Sequence, residues 1–121
     1  MPKDFAFHTE FTSIAKRYAH KVYDVTKHFP KEELFGLVSQ FRRAAVSISL
    51  NYAEGYARKQ EGAFSNFIKI SYGSLKECQW LEDFCLERKL ISKEEFDELR
   101  SISDRSGGML WGILKRITNN E

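Results

Sequence analysis

Apolar residues recur along this chain at intervals of three and four, in four successive segments joined by short polar stretches. Phe11, Ile14, Ala15, Tyr18, Val22, Val25 and Phe29 fall on one face of a helix spanning about Thr12 to Phe29. Pro30 disfavours helix at the residue before it and ends that segment. A second helix is expected from about Lys31 to Arg58, with Leu34, Leu37, Val38, Phe41, Ala45, Ile48, Tyr52 and Tyr56 as its core stripe. Glu32 and Glu33 suit its positive N-terminal end. The run from Arg58 to Gly62 reads as a turn. A third helix covers about Ala63 to Lys89, with Phe64, Phe67, Ile68, Ser71, Leu75, Cys78, Leu81 and Cys85 inward. Ser92 and Glu95 form a capping-box signature for a fourth, which continues through Phe96, Leu99, Ile102, Met109, Leu110, Ile113, Leu114 and Ile117. Gly107 and Gly108 interrupt it and predict a kink or a close helix contact.

No alternating run indicates a strand. Four long helices with short connections fold most simply as an all-α, antiparallel up-down-up-down four-helix bundle. Residues 1–10 read as a loosely held tail, and residues 11–121 as one bundle domain.

A free-standing bundle helix needs one apolar stripe. The second helix has another flank, Phe35, Val46, Leu50, Ala53 and Ala57. On the third, Gly73, Trp80 and Phe84 lie opposite Phe64 and Leu75, and on the fourth Trp111 turns away from the core stripe. Such double-sided helices either flank a wide core or pack against further copies of the chain. Between the two flanks of the second helix, Arg43, Ser47, Asn51, Glu54 and Arg58 recur at spacings of three and four, forming a polar stripe. Three readings stay open for it: a solvated face, an interface network in which Glu54 pairs an Arg across subunits, or a nucleic-acid contact.

Composition narrows the choice only a little. The chain is 42% hydrophobic and 30% charged, as soluble globular domains are, and its net charge is +2 with a pI near 8.5. That is below the range of many dedicated nucleic-acid binders. Basic residues scatter over all four helices, with Lys16, His20 and Lys27 on the first, Lys69 and Lys76 beside Trp80 on the third, and Lys115 and Arg116 on the fourth. There is no apolar run of about 18 residues for a membrane span. MPKDFAFHTEF lacks a signal-peptide core and cleavage site, so a cytoplasmic protein is expected. Cys78 and Cys85 sit seven residues apart on one helix, too far for a disulfide, and read as small buried side chains.

Catalysis finds no footing. The three histidines, His8, His20 and His28, complete no Glu-x-x-His metal motif. No Arg is followed by His at the spacing of helical-bundle ribonucleases, and neither GxSxG nor a phosphate-binding loop occurs. Glu82 falls within the apolar face of the third helix and reads either as an acid of shifted pKa or, the commoner case, as a boundary residue reaching solvent or an Arg. No enzyme, metal site or cofactor is read.

The run RRAAVSISLNYAEGYAR, Arg42 to Arg58, resembles the signature of the four-helix-bundle proteins encoded in intervening sequences of bacterial 23S ribosomal RNA genes. FPKEELFGLVSQF, FIKISYGSLKECQWLE and MLWGILK extend the resemblance over about residues 11–117. Ser49 departs from it, standing where many members carry proline, which leaves the local helix geometry open. The resemblance implies a ring, a homopentamer, similar in fold to the accessory protein of diversity-generating retroelements, which binds a reverse transcriptase and RNA through a basic surface. It supplies no catalytic residue. The expectation is therefore a homo-oligomer binding RNA or a ribonucleoprotein. The alternative is an adaptor docking a reverse transcriptase or another enzyme without touching nucleic acid. Candidate RNA contacts are Arg42, Arg58, Lys59, Lys69, Lys76 and Lys16. Candidate assembly residues are Arg43, Leu50, Asn51, Glu54, Trp80 and Phe84.

Overall fold

A computed structural model describes residues 3–119. Four helices account for most of them: α1 (Lys3–Thr26), α2 (Ser39–Ala57), α3 (Phe64–Glu87) and α4 (Lys93–Asn119), with no strand among the described residues. α1 packs on α2 and α4, and α3 packs on the same two, so α1 and α3 are diagonal partners. One apolar cluster fills the space between them, including Phe11, Tyr18 and Val22 of α1, Phe41, Ile48 and Tyr52 of α2, Ile68, Leu75 and Cys78 of α3, and Leu99 and Leu110 of α4.

The first helix begins and ends earlier than its periodicity indicates. Residues 3–10 are helical rather than a tail. Phe7 lies one turn before Phe11, with the rings parallel at 6.1 Å. His8 stacks on Tyr56 at 3.7 Å, and its Nδ1 lies 3.2 Å from the Tyr52 hydroxyl. These contacts give the segment an aromatic anchor of its own, which a loosely held tail would lack. At the other end the Thr26 hydroxyl donates to the Val22 carbonyl at 2.6 Å, and the helix stops there rather than at Phe29.

The second helix is likewise shorter than expected. Lys31–Glu33 form a tight turn and Leu34–Val38 a wide one, broken at Gly36, whose φ of −103° and ψ of −105° leave the helical region. Glycine tolerates that conformation without a side-chain clash. The break puts Leu34 out of register with the core stripe, and it is about half exposed. From Ser39 onward α2 is continuous through Ser49. The Ser49 hydroxyl is buried there without a hydrogen-bond partner.

The connections follow their turn chemistry. Arg58–Gly62 close in one tight turn ending at Gly62, with φ of +76°. α3 is closed off by Lys89, two residues past its end, with φ of 61°: the Leu90 N–H donates to the Cys85 carbonyl at 2.8 Å and the Lys89 N–H to that of Leu86 at 3.0 Å. This is a Schellman closure, usually made by glycine. α4 opens with the anticipated capping box: Glu95 N–H donates to the Ser92 hydroxyl at 3.0 Å, and Ser92 N–H to the Glu95 carboxylate at 2.8 Å.

Two glycines set how closely neighbours approach. A Cβ on Gly55 would lie 2.8 Å from Cβ of Phe67, and one on Gly107 would lie 2.9 Å from Cδ2 of Leu75. Gly107 thus marks a close contact in an unbroken α4, and the kink alternative falls away. In urea denaturation, Gly55→Ala should lower stability by about 1–3 kcal/mol through overpacking. Ser49→Ala should raise it by about 1 kcal/mol by removing a buried hydroxyl that lacks a partner. An unchanged Gly55→Ala protein would contradict the tight α2–α3 approach.

Candidate functional site

The polar stripe of α2 divides into parts with different tasks. Ser47 and Ser74 hydroxyls meet at 2.8 Å, tying α2 to α3. The Asn51 amide donates to the Ser47 hydroxyl at 2.8 Å and to its carbonyl at 2.9 Å. These short polar side chains have local partners, which explains their presence inside a helix. Glu54 pairs with Arg58 at 3.0 Å within the same helix, so in the single chain its partner is not across an interface. Arg58 also lies 5.7 Å from the centre of the Phe67 ring. Arg43 is exposed between two shallow grooves, one bordered by Tyr23, Val46 and Leu50, the other by Gln40, Ser74 and Glu77.

Arg42 turns the other way. Its Nε donates to Thr26 Oγ1 at 2.9 Å, Nη2 reaches the Tyr23 carbonyl at 3.4 Å, and the guanidinium sits 4.4 Å from the Tyr23 ring centre. That position gives it a structural task, fastening the last turn of α1 to α2, where cations complement the exposed carbonyls. The other candidate cations are spread over the molecule. Lys59 is half-buried with its ammonium 5.3 Å from the Tyr56 ring centre and 5.1 Å from that of Phe64. Lys69 and Lys76 are exposed on α3, and Lys16 is exposed on α1, diagonally across the bundle. The aromatic partner of Lys76 is Tyr72, at 5.6 Å, on the side facing α4.

Large apolar side chains remain at the surface. Phe35 is 93% exposed, Leu50 63%, Trp80 61% and Trp111 52%. Trp80 stacks on the half-buried Phe84 at 5.0 Å with planes 14° apart. Ile70, half exposed on α3, adds to this surface. Its spacing places it beside Gly73 and Trp80, so the outer stripe of α3 extends one turn further toward its N-terminus than the sequence expectation.

Glu82 has no access to solvent. It does reach an Arg, as its sequence position indicates, but it is buried rather than at a boundary. Arg100 Nε of α4 donates to its Oε1 at 2.7 Å, Ser103 Oγ does so at 3.3 Å, and the Tyr18 hydroxyl of α1 donates to Oε2. Arg100 also binds the Gln79 carbonyl at 3.0 Å and Asp83 at 2.8 Å. Burial pushes the Glu82 carboxyl above its ordinary value, against the downward pull of the Tyr18, Arg100 and Ser103 hydrogen bonds. For Arg100, burial works against the charge, but the hydrogen bonds and charges of Glu82 and Asp83 together outweigh it and raise its pKa. Burial also raises the Tyr18 phenol well above its ordinary range, so the hydroxyl stays a donor. The Cys85 thiol is pushed up to about 11 and Cys78 higher still by burial; both are free and buried. Such thiols are poor nucleophiles. The arrangement is a structural tie joining α1, α3 and α4. Among the described residues, no cluster of three His, Cys, Asp or Glu could hold a metal ion.

Removing Arg100 leaves the carboxylate buried and unpaired. Arg100→Met should cost about 3 kcal/mol. A carboxyl whose folded pKa is raised holds its proton more tightly in the folded chain. Its contribution is therefore present below the unfolded value, 4.5, and is lost as pH rises through the folded one. Urea denaturation of Arg100→Met should show stability falling as pH rises above 4.5, by at most about 1.4 kcal/mol per unit. Adding Glu82→Gln should abolish that slope. A single variant with flat stability over this range would contradict the raised pKa.

The sequence matches the family described as 23S rRNA-intervening sequence protein over residues 8–112. No curated protein matches the chain. Among solved structures, it is similar to the crystal structure of a protein with unknown function from the S23 ribosomal protein family of Bacteroides thetaiotaomicron. The TM-score is 0.81 at 18% identity, covering 90% of this chain and 98% of that one. At that identity the likeness speaks for the fold, while the family match spans most of the chain and both ends of its signature helix. The chain belongs to the 23S rRNA-intervening sequence protein family.

Proposed function

We propose that this protein is a non-enzymatic, homo-oligomeric four-helix bundle that binds RNA or a ribonucleoprotein. The observation that carries assembly is the apolar surface left uncovered on two helices, Leu50 on α2 and Trp80 with Phe84 on α3. Apolar patches of this kind, backed by a polar stripe, suit a subunit with neighbours on two sides. A ring is the simplest closed arrangement for two different contact faces, and five subunits is the number that the family resemblance implies. The up-down-up-down course is supported by the contact order: His8 meets Tyr52 while Thr26 meets Arg42, and Ser47 meets Ser74 while Leu75 meets Gly107.

RNA is the partner that the resemblance to the retroelement accessory protein implies, with the cytoplasm as the expected place of action. Arg43, Lys69 and Lys76 are exposed and suited to phosphate, and assembly would multiply a modest charge of +2 per chain. No helix of the described residues is long and apolar enough to cross a membrane.

Light scattering at micromolar concentration should give a mass several times 14.1 kDa, and Leu50→Glu with Trp80→Glu should reduce it to that of one chain while helicity is kept. A wild-type species of 14.1 kDa would contradict assembly. Gel-shift titrations with ribosomal RNA fragments should show affinity falling steeply with salt. Absence of binding at low salt, with a protein partner captured after nuclease treatment, would replace RNA binding by adaptor function.

A further inference from the structure

In the outer groove between α3 and α4, aromatic and basic groups come together. The Tyr72 and Trp111 rings lie 5.7 Å apart with planes at 33°, and the Lys76 ammonium sits 5.6 Å from the centre of Tyr72. Lys69 lies one turn before Tyr72, Lys115 one turn after Trp111, and both are exposed. The acids near this groove are engaged elsewhere: Asp104 accepts from the Gln79 amide at 2.9 Å, and Glu77 accepts from Gln40 of α2.

Gly108 precedes Trp111 by three residues and is exposed, with no atom within 4 Å of where its Cβ would stand. Leu75 accounts for Gly107, but nothing within the chain accounts for Gly108, a residue type that weakens an exposed helix. It leaves open helix surface one turn before Trp111, whose indole is about half exposed. A half-exposed aromatic face with one ammonium at its neighbouring ring and two more lysines a helical turn away has the chemistry of a site for unpaired bases and their phosphates. A duplex would offer base edges and backbone but no base face. An apolar protein helix would offer the lysines no anion, whereas a single strand carries a phosphate at every nucleotide.

We propose that this groove binds single-stranded RNA, with a base stacked on Trp111 and phosphates held by Lys69, Lys76 and Lys115. This deepens, and rests on, the RNA-binding reading above. Three phosphate contacts to a single strand correspond to a log–log salt slope of about −2.

The test is titration of the full-length protein with a single-stranded decauridylate, a decaadenylate and an RNA duplex of equal length. Anisotropy of the RNA and tryptophan fluorescence are followed together. Single strands should bind and quench fluorescence. Quenching should persist in Trp80→Phe and vanish in Trp111→Leu, whose affinity should fall about tenfold with an unchanged thermal melt. Lys69→Gln and Lys76→Gln should each reduce the salt slope by about 0.7. Binding of the duplex alone, or quenching that survives in Trp111→Leu, would overturn the groove assignment while leaving general RNA binding in place. Binding of neither RNA form, nor of ribosomal RNA fragments, would overturn both.

Discussion

Placing a carboxylate among apolar side chains is unfavourable by several kcal/mol unless hydrogen bonds and an opposite charge offset it. At Glu82 those partners come from different helices: Tyr18 from α1, and Arg100 and Ser103 from α4. The requirement therefore constrains three helices at once. Apolar packing by itself tolerates a range of helix offsets, whereas sliding any of the three by one turn, about 5.4 Å, would strand the carboxylate. α2 is fixed by smaller ties, Ser71 Oγ donating to the Ile48 carbonyl at 2.7 Å, Ser47 meeting Ser74, and Arg42 held against the end of α1. The core is apolar in bulk, and its register is set by a few polar contacts.

That register decides what the surface presents. With α3 held by Glu82 on its inner side, Trp80 and Phe84 are left stacked on the outer one. With α4 fixed against Leu75 through Gly107, Trp111 comes to rest beside Tyr72. α2, held on both flanks, displays Leu50 and Arg43. The apolar faces assigned to assembly and the basic groove assigned to RNA are consequences of one internal arrangement. Trp80 and Phe84 lie toward the C-terminal end of α3, whereas the ring that faces Trp111 is Tyr72, toward its middle.

Periodicity carried much of this into view. The core faces of all four helices, the capping box at Ser92, the close contact at Gly107 and the second apolar flank of α2 were readable from spacing. What escaped was either non-local or locally ambiguous. Tyr18 as a partner of Glu82 stands 64 positions away, and no one-dimensional pattern links them. Lys89 closes α3 in a left-handed conformation that its residue type does not announce. The break at Gly36 lies inside a run whose apolar spacing continues as if the helix did, which is why Leu34 was placed in the core. Arg42 and Arg43 are adjacent and alike in sequence, but about 100° of helix rotation sends one to Thr26 and the other to solvent. Lys76 falls within one turn of both Tyr72 and Trp80, and only the fold shows which ring it faces.

The account turns on Glu82 acting as one unit with its partners rather than as a set of separate contacts. A double-mutant cycle of Tyr18→Phe and Arg100→Met, measured by urea denaturation at pH 7, tests this most directly. Each substitution removes one partner from opposite oxygens of the same carboxylate, so their costs should fail to add, with a coupling of about 1 kcal/mol or more. Additivity within about 0.3 kcal/mol would contradict a shared tie and return the setting of register to apolar packing.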